Sequence, residues 1–248
     1  MSQSLQPMTR PESEAKVATM FDLIAKRYDF LNRLLSAGQD RRWRNKLLSY
    51  VPKSVNGVFV DVATGTGDVI LGVRQTHPEY RKLIGVDISD NMLELANQKA
   101  KSKKYTNEVE FKNMSAEQLA IPDNSVDCLS IAFGLRNVLD KEKAISEFKR
   151  VLKPDGTLLI LEFFLPQKGS FSTLFQFYFH KVLPKVGGLF SSREAYTYLP
   201  KSVDSFYSLA ELEKKLASQN LQVTNVVSWL FGSCRLVKAS KLYSTQAG

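Results

Sequence analysis

Two aspartates stand at the ends of apolar runs, where a side chain can contact a ligand. Asp61 lies in VFVDVATGTGD, from Val58 to Asp68, and Asp87 lies in LIGVDIS, twenty-two residues after Gly65. A carboxylate at the end of a second strand can bind both hydroxyls of a ribose. Gly65 and Gly67 let the backbone turn sharply and let a ligand approach it closely. Together these residues favour a binding site for an adenosine-type cofactor.

The glycine turn departs from the fingerprint of dinucleotide-binding proteins. Its sequence GTGD lacks the third glycine of GxGxxG, which allows a helix to pack closely on the strand beside a pyrophosphate. A nicotinamide oxidoreductase is therefore disfavoured, and a nucleoside cofactor without a required pyrophosphate is favoured.

The elements that must position these residues are short β-rich runs alternating with helical patterns, from Val55 onwards to GTLLILEFF. This alternation predicts an α/β fold with a mostly parallel, doubly wound sheet and helices on both of its faces. Ligands of such a sheet bind outside the carboxyl ends of its strands. KPDGT, from Lys153 to Thr157, predicts a turn between a helix and a strand.

The net charge of +9 is concentrated in the flanks of the 248-residue chain. Residues 1–60 carry 10 Lys and Arg against 5 Asp and Glu, residues 168–248 carry 10 against 4, and residues 61–167 carry 14 against 16. Basic flanks attract nucleic acid or an anionic membrane surface, and they are also typical of a merely solvated surface.

Two cysteines, Cys128 and Cys234, stand far apart and outside any CxxC spacing. We therefore expect a reducing compartment, with no disulfide framework and no metal site. No apolar run reaches the roughly 20 residues of a membrane-spanning helix, and the N-terminus lacks the apolar core of a signal peptide. A whole chain of this kind would stay in the cytoplasm.

The sequence resembles the class I S-adenosylmethionine-dependent methyltransferases, and more closely the C-methyltransferases of ubiquinone and menaquinone biosynthesis. The resemblance spans roughly residues 16–225, and FGLRNV is its most specific element. The segments that carry it are FDLIAKRYDFLNRLLSAGQDRRWR (Phe21 to Arg44), DVATGTGD, GVDISDNML, SAEQLAIPDNSVDCLSIAFGLRNVLDKEKAI (Ser115 to Ile145), RVLKPDGTLLILEF and YTYLPKSV (Tyr196 to Val203).

The resemblance implies a single Rossmann-like methyltransferase domain over residues 1–248. It places an N-terminal helical cover at about 14–50, a cofactor-binding core at about 55–165 and an aromatic lid insertion at about 168–205. The implied cofactor is S-adenosyl-L-methionine. Its implied contacts are Asp61, Thr64, Gly65, Thr66, Gly67, Asp87, Ser115 and Ala116. Ser115 stands where the family carries Asn, and Ala132 where members often carry Ser.

The implied reaction is methyl transfer to a ring carbon of a prenylated hydroquinone. The acceptor is demethylmenaquinol, 2-methoxy-6-polyprenyl-1,4-benzoquinol, or both. Arg136, almost always charged, is expected to stabilise a phenolate or orient a water, and Asn137 to hold that group or the substrate oxygen. A surface loop capped by Asn137 is the alternative. Tyr28 either donates a hydrogen bond to the site or packs on the core. His180 is either a general base or a structural residue.

The aromatic run after the fifth strand predicts a helix with one wide apolar face. Its residues recur at helical spacing: Phe171, Phe175, Tyr178, Phe179 and Val182. That helix is either an ordinary core element or a lid lining a slot for a polyprenyl tail. Trp43, among four basic residues, is either an interfacial anchor or a packing residue. The expected partners are a prenylated quinol and an anionic membrane surface met peripherally, with a homodimer or a complex of quinone enzymes left open.

Two functions from other classes compete with this interpretation. A nucleic-acid methyltransferase fits the net charge. However, FGLRN stands where an amino-group enzyme carries an NPPY-like tetrapeptide, and Cys128 lies inside a strand, where it cannot serve as the nucleophile of a pyrimidine C5 enzyme. A non-catalytic, membrane-associated scaffold of quinone biosynthesis is the second. The intact GTGD loop, Asp87 and FGLRN argue against it.

Overall fold

Seven strands form one sheet in the computed structural model, which describes residues 10–166 and 200–242. The strands are β1 (Val58–Val62), β2 (Lys82–Asp87), β3 (Val109–Asn113), β4 (Val126–Ala132), β5 (Leu152–Phe163), β6 (Leu221–Trp229) and β7 (Cys234–Lys241). Their order is β3-β2-β1-β4-β5-β7-β6. The first five are parallel, whereas β7 runs antiparallel to both β5 and β6. The predicted mostly parallel, doubly wound sheet is confirmed.

The central strands are apolar because helices cover both faces of the sheet. In β1, Val60 and Val62 pack on one face, while Phe59 between them packs on the other. In β4, Leu129 and Cys128 divide between the faces in the same way, and all five of these residues are at most 1% exposed. Side chains alternate with a period of two along a strand, so each run supplies both halves of the core.

Six helices surround this sheet in the described ranges. They are α1 (Arg10–Leu35), α2 (Gln39–Leu48), α3 (Asp68–Thr76), α4 (Asp90–Ser102), α5 (Lys141–Val151) and α6 (Leu209–Ser218), and residues 200–204 are also helical. The side chains of Ser89, Asp140 and Ser208 accept hydrogen bonds from backbone N–H groups in the first turns of α4, α5 and α6. These N-caps satisfy N–H groups that have no partner within the helix, and they fix where each helix starts.

The KPDGT segment turns inside β5 instead of preceding it. Val126 of β4 pairs with Leu152, and Cys128 pairs with Thr157, so the residues between the two β5 partners loop out of the ladder. Asp155 adopts a φ of 61° there. A positive φ is favoured at Asp, Asn and Gly, which explains why the sequence carries Asp-Gly at this point.

Trp43 packs inside the protein, and its interpretation as an interfacial anchor was wrong. The residue is only 3% exposed. Its ring lies 5.8 to 6.4 Å, centroid to centroid, from those of Phe133, Phe163 and Trp229. Aromatic rings at such distances stabilise each other beyond the area they bury. Trp43 therefore fixes α2 against the carboxyl ends of β4 and β5.

Several predictions fall on residues that the structure does not describe. His180, the aromatic run from Phe171 to Val182 and most of the lid insertion lie outside the described ranges. Among the helices that are described, none is both long enough and apolar enough to cross a bilayer.

Candidate active site

A cavity of about 710 Å³, counting its open mouth, lies at the carboxyl ends of the parallel strands. It is where the alternating sequence predicted a ligand site. Its walls come from α1 and from the segments that follow β1, β2, β3 and β4. The residues that line it include Val17, Phe21, Tyr28, Gly65, Asp87, Ile88, Met92, Met114, Ser115, Ala116, Phe133 and Asn137.

Asp87 presents an oriented carboxylate to this cavity. Its Oδ2 accepts a hydrogen bond of 2.8 Å from the Gly65 N–H, and its Oδ1 accepts one of 3.0 Å from the Ser89 N–H. Burial raises the pKa of Asp87, and the backbone N–H groups of Ser89 and Gly65 act against that rise. A carboxylate offers about four lone-pair sites, so two remain to accept hydrogen bonds from a ligand diol.

The two glycines of the turn have different tasks. Gly65 lines the cavity with a φ of 55°, and a Cβ there would come within 3.9 Å of the Tyr28 ring alone. Gly67 has a φ of 81°, and a Cβ there would lie 3.2 Å from Ala96 and 3.3 Å from Phe111. A side chain rarely adopts either conformation. Gly65 thus keeps space open beside a ligand, while Gly67 permits close packing within the domain.

Asp61 lies beneath the cavity and joins the ends of two strands. Its carboxylate accepts hydrogen bonds from the hydroxyls of Thr64, at 2.7 Å, and Ser130 of β4, at 2.5 Å. Neither Asp61 nor Thr64 lines the cavity, although both were predicted to contact the cofactor. Burial raises the pKa of Asp61 to about 6, and the hydrogen bonds from Ser130 and Thr64 limit that rise.

Asp61 makes stability depend on pH between about 4 and 6. Because its pKa is higher in the folded chain than in the unfolded chain, the folded state loses stability as pH rises through this window. In the wild type, we expect the free energy of unfolding to fall by roughly 2–3 kcal/mol across this window because Asp61 titrates. Asp61→Asn cannot titrate, so this fall should be absent from its pH profile. Urea titrations of both proteins from pH 4 to pH 7 measure this difference. Parallel profiles would show that Asp61 does not titrate in the window.

Thr66 also faces away from the cavity. Its hydroxyl donates a 2.6 Å hydrogen bond to Asp29 of α1 and accepts one of 2.8 Å from Lys99 of α4. At 3% exposure it is buried under α1. Its predicted contact with the cofactor therefore needs the backbone and not the side chain.

One wall of the cavity is apolar, and most of its residues were not predicted from the sequence. Ser115 and Ala116, which the sequence predicts to contact the cofactor, line this wall together with Ile88, Met92 and Met114, which were not predicted. The Ser115 hydroxyl accepts a 3.1 Å hydrogen bond from the Glu117 N–H. Ile88 and Met114 directly follow the ends of β2 and β3, and this position in the chain was the available signal. Two methionines and an isoleucine give this wall apolar side chains, which suit contact with the faces of a purine ring.

Arg136 lies behind the residues that line the cavity and is not one of them. Its guanidinium pairs with Glu162 of β5 at 2.6 Å and donates a second hydrogen bond of 2.6 Å to the Phe133 carbonyl. The side chain of Arg136 is 8% exposed and that of Glu162 is fully buried. In this arrangement Arg136 fixes the backbone between Phe133 and Asn137, and Phe133 has a positive φ of 58°.

Asn137 does line the cavity, at the end of the short 3-10 turn Leu135–Asn137. Its Nδ2 donates only a long hydrogen bond of 3.4 Å to the Phe133 carbonyl. Its Oδ1 is buried and has no partner among the residues that the structure describes. Buried polar atoms are nearly always hydrogen-bonded in folded proteins, so this unpartnered oxygen beside the cavity makes Asn137 a candidate for binding a polar group of a ligand. The alternative of an exposed loop fails because Leu135 and Arg136 are buried.

Tyr28 and Phe21 close the cavity from the side of α1. Their rings meet edge to face, with centroids 6.1 Å apart. Both possibilities predicted for Tyr28 are compatible with this position, because the ring packs on α1 and also lines the cavity.

Comparison with known proteins identifies relatives over nearly the whole chain. The sequence model of the ubiE/COQ5 methyltransferase family matches residues 9–241. The ubiquinone/menaquinone biosynthesis C-methyltransferase UbiE of Geobacter sulfurreducens is 41% identical over 230 residues, which cover 93% of this chain and 90% of that protein. The demethylmenaquinone methyltransferase of Thermus thermophilus is 42% identical over 205 residues, covering 82% and 92%.

A solved structure shows the same fold at low sequence identity. The geranyl diphosphate C-methyltransferase of Streptomyces coelicolor, in complex with Mg2+, geranyl diphosphate and S-adenosyl-L-homocysteine, superposes with a TM-score of 0.67. The alignment covers 96% of this chain and 100% of that one, at 13% identity.

Proposed function

Because this chain belongs to the ubiE/COQ5 methyltransferase family, we propose that it transfers a methyl group from S-adenosylmethionine to a ring carbon of a prenylated hydroquinone. By their names, the relative from Geobacter sulfurreducens is a C-methyltransferase of ubiquinone and menaquinone biosynthesis, and the relative from Thermus thermophilus is a demethylmenaquinone methyltransferase. The observation that carries the proposal is one cavity in which the Asp87 carboxylate and the buried Asn137 oxygen are joined by apolar walls.

The residues of the cavity fit the cofactor. Asp87 would bind the ribose hydroxyls through its two spare acceptor positions, beside a backbone kept accessible by Gly65. The apolar wall at Met92 and Met114, with Ser115 at its edge, would hold the adenine. When bound, S-adenosylmethionine supplies an electrophilic methyl group carried on a sulfonium.

The remaining task of the chain is to prepare the ring carbon of the acceptor. A ring hydroxyl that gives its proton to water pushes electron density onto the ring, so the carbon becomes nucleophilic, and after methylation the ring hydrogen also leaves to water as a proton. Asn137 would hold that oxygen, because its Oδ1 can accept from the hydroxyl and its weakly bound Nδ2 can donate to the phenolate. Tyr28 would orient the ring from α1. Arg136 acts as a positioning residue through the Phe133 carbonyl.

Isotopic methyl transfer tests the proposal. Labelled S-adenosylmethionine is supplied with a short-chain demethylmenaquinol or with a methoxy-polyprenyl benzoquinol. Label should enter at least one quinol, and the ring that is labelled identifies the acceptor. Asp87→Ala should lose at least 99% of the activity, because two hydrogen bonds to a charged group are worth about 3 kcal/mol or more. Asp123→Ala, at an exposed carboxylate paired with Arg150, is the matched control.

The opposite result is equally informative. If neither quinol is labelled although the protein binds S-adenosylhomocysteine, the chain is not a quinol methyltransferase, and the scaffold function gains support. Label transferred to RNA or DNA instead would favour the nucleic-acid function.

We also propose that the protein meets its prenylated substrate at the cytoplasmic, anionic surface of a membrane as a peripheral protein. The charge of the flanks supports this, and so does α1. Leu23 is 73% exposed and Phe30 is 55% exposed. Lys26, also exposed, shares a helical face with them. A homodimer or a complex with other quinone enzymes belongs to the same proposal, and sedimentation velocity distinguishes these states from a monomer.

Vesicle binding measures the membrane proposal. We expect Leu23→Gln combined with Lys26→Gln to weaken binding to phosphatidylglycerol-rich vesicles at least tenfold, since a basic residue near such a surface contributes about 1 kcal/mol and a buried leucine more. Co-sedimentation at low and high salt reports the loss, with phosphatidylcholine vesicles as the uncharged comparison. Unchanged binding of the double variant would exclude this face of α1.

A further inference from the structure

Two aspartates of α1 reach across to the cofactor-binding half of the domain. Asp22 and Asp29 are seven residues apart, so they lie on nearly the same face, two helical turns from each other. Neither aspartate lines the cavity. Their hydrogen bonds form two ties between α1 and the rest of the domain. The tie through Asp29 reaches the segment that follows β1, and the tie through Asp22 reaches the segment that follows β2.

The first tie is a cluster around Lys99 of α4. The Lys99 ammonium lies 2.5 Å from an Asp29 oxygen and 2.6 Å from an Asp68 oxygen, and the other Asp29 oxygen accepts from Thr66. Burial raises the pKa of Asp68, but the charge and hydrogen bond of Lys99 outweigh it, so the pKa is lowered. One cation is thus shared by two carboxylates from different elements.

The second tie joins Asp22 to the start of α4. Its Oδ1 accepts a 2.5 Å hydrogen bond from the Ser89 hydroxyl and one of 3.2 Å from the Asn91 N–H. The side-chain Nδ2 of Asn91 also donates a hydrogen bond of 3.4 Å to the backbone carbonyl of Asp22. These bonds add to the cap that Ser89 already forms on the Met92 N–H.

Both ties end at the neighbours of Asp87. Ser89 binds Asp22 through its hydroxyl and Asp87 through its N–H. Thr66, which binds Asp29, directly follows Gly65, whose N–H binds Asp87. The position of α1 and the orientation of the Asp87 carboxylate therefore depend on the same short segments.

Between the two ties, α1 contributes wall residues to the cavity. Val17, Phe21 and Tyr28 line it, and Ile24 and Ala25 pack with Met92 in a small apolar cluster. That cluster is minor beside the two clusters of the sheet. An element held by few buried apolar contacts and several polar ones opens at a lower free energy than the core does.

We propose that α1 is a latched cover, in which Asp22 and Asp29 hold the helix over the cavity and thereby set how tightly and for how long the cofactor is bound. This inference rests on the proposed function. Asp22, Asp29 and Lys99 are positioning residues in it, because they act through Ser89 and Thr66. The measured affinity equals the intrinsic affinity multiplied by the fraction of molecules in which α1 is docked, so a weakened latch lowers affinity and speeds release.

The test uses the full chain and S-adenosylhomocysteine as the probe. Asp22→Asn, Asp29→Asn and the double variant are compared by calorimetry, by stopped-flow dissociation and by hydrogen exchange of residues 10–35 without ligand. We expect each single change to weaken binding about fivefold and the double change more than tenfold, with faster dissociation and faster exchange in α1. Glu110→Gln, at an exposed pair with Lys82 and Lys112, is the matched control and should change none of these values.

Three outcomes in the variants would overturn the latch. Faster exchange of α1 with unchanged affinity would show that docking and binding are independent. Weaker binding with unchanged exchange would show that the aspartates act on the ligand in another way, and no change in either would show that they hold nothing. Thermal melting of each variant separates these results from unfolding. A wild-type chain that binds S-adenosylhomocysteine but methylates no quinol contradicts the proposed function and leaves the latch measurable, whereas absence of binding overturns both.

Discussion

Replacing Glu162 by Gln is expected to lower the free energy of unfolding by roughly 3–5 kcal/mol, because the change leaves the buried Arg136 guanidinium without its charge partner. Glu162 is fully buried, and its two oxygens accept from the guanidinium at 2.6 Å and from the Arg136 N–H at 3.2 Å. A neutral amide can replace one hydrogen bond but not the charge. Urea titrations of wild type and Glu162→Gln at pH 7 measure the difference.

Two further variants identify the cause of the loss. Replacing both partners, as Arg136→Met with Glu162→Leu, should cost far less than Glu162→Gln alone, because no unpaired charge stays buried. Glu142→Gln, at an exposed ion pair with Lys215, should change stability by about 1 kcal/mol or less. A loss below about 1 kcal/mol in Glu162→Gln would mean that the guanidinium is not committed to this pair, and the predicted direct role of Arg136 at the phenolate would regain support.

The Arg136–Glu162 pair shows why the sequence could locate the candidate catalytic loop but not the residue that supports it. FGLRNV indicated that Arg136 and Asn137 follow the fourth strand, and they do. Glu162 is 26 residues further along, and its proximity comes from the pairing of β4 with β5. The signal that could have found it was a single acidic residue in the apolar run GTLLILEFF, since a buried carboxylate needs a partner.

The same difference between local and long-range signals applies to the residues that were predicted to bind the cofactor. Gly65 and Asp87 could be predicted because turn chemistry and strand ends are local properties of a sequence, and both line the cavity. The direction of the Thr66 side chain could not, because it depends on where α1 lies over the turn. Trp43 was ambiguous for a similar reason. Its neighbours in sequence are basic, but its neighbours in space are Phe133, Phe163 and Trp229.

Replacing Asn137 by Ala is expected to lower kcat by a factor of about 100 to 1,000, the usual cost of removing one group that stabilises a developing oxyanion. The affinity for S-adenosylhomocysteine should stay within about twofold of the wild-type value, because Asn137 belongs to the substrate half of the cavity in our proposal, and the loss is one of transition-state stabilisation. Single-turnover methyl transfer with saturating cofactor, together with calorimetry, separates the two quantities. Asn225→Ala removes an exposed amide whose oxygen accepts a hydrogen bond from Tyr50, and it should leave both unchanged.

Asn137→Asp makes the assignment sharper. The aspartate keeps an acceptor for the ring hydroxyl but has no donor for the phenolate, and its charge opposes that of the developing oxyanion. We therefore expect it to be no more active than Asn137→Ala. Near-normal activity in Asn137→Asp would mean that residue 137 needs only to accept a hydrogen bond from the ring hydroxyl and does not need to donate one to the phenolate. A loss of cofactor affinity that matches the loss of rate would instead move Asn137 to the cofactor half. Only a fall in kcat in both variants, with cofactor affinity intact, identifies the Asn137 amide as the group that holds the ring oxygen while its charge develops.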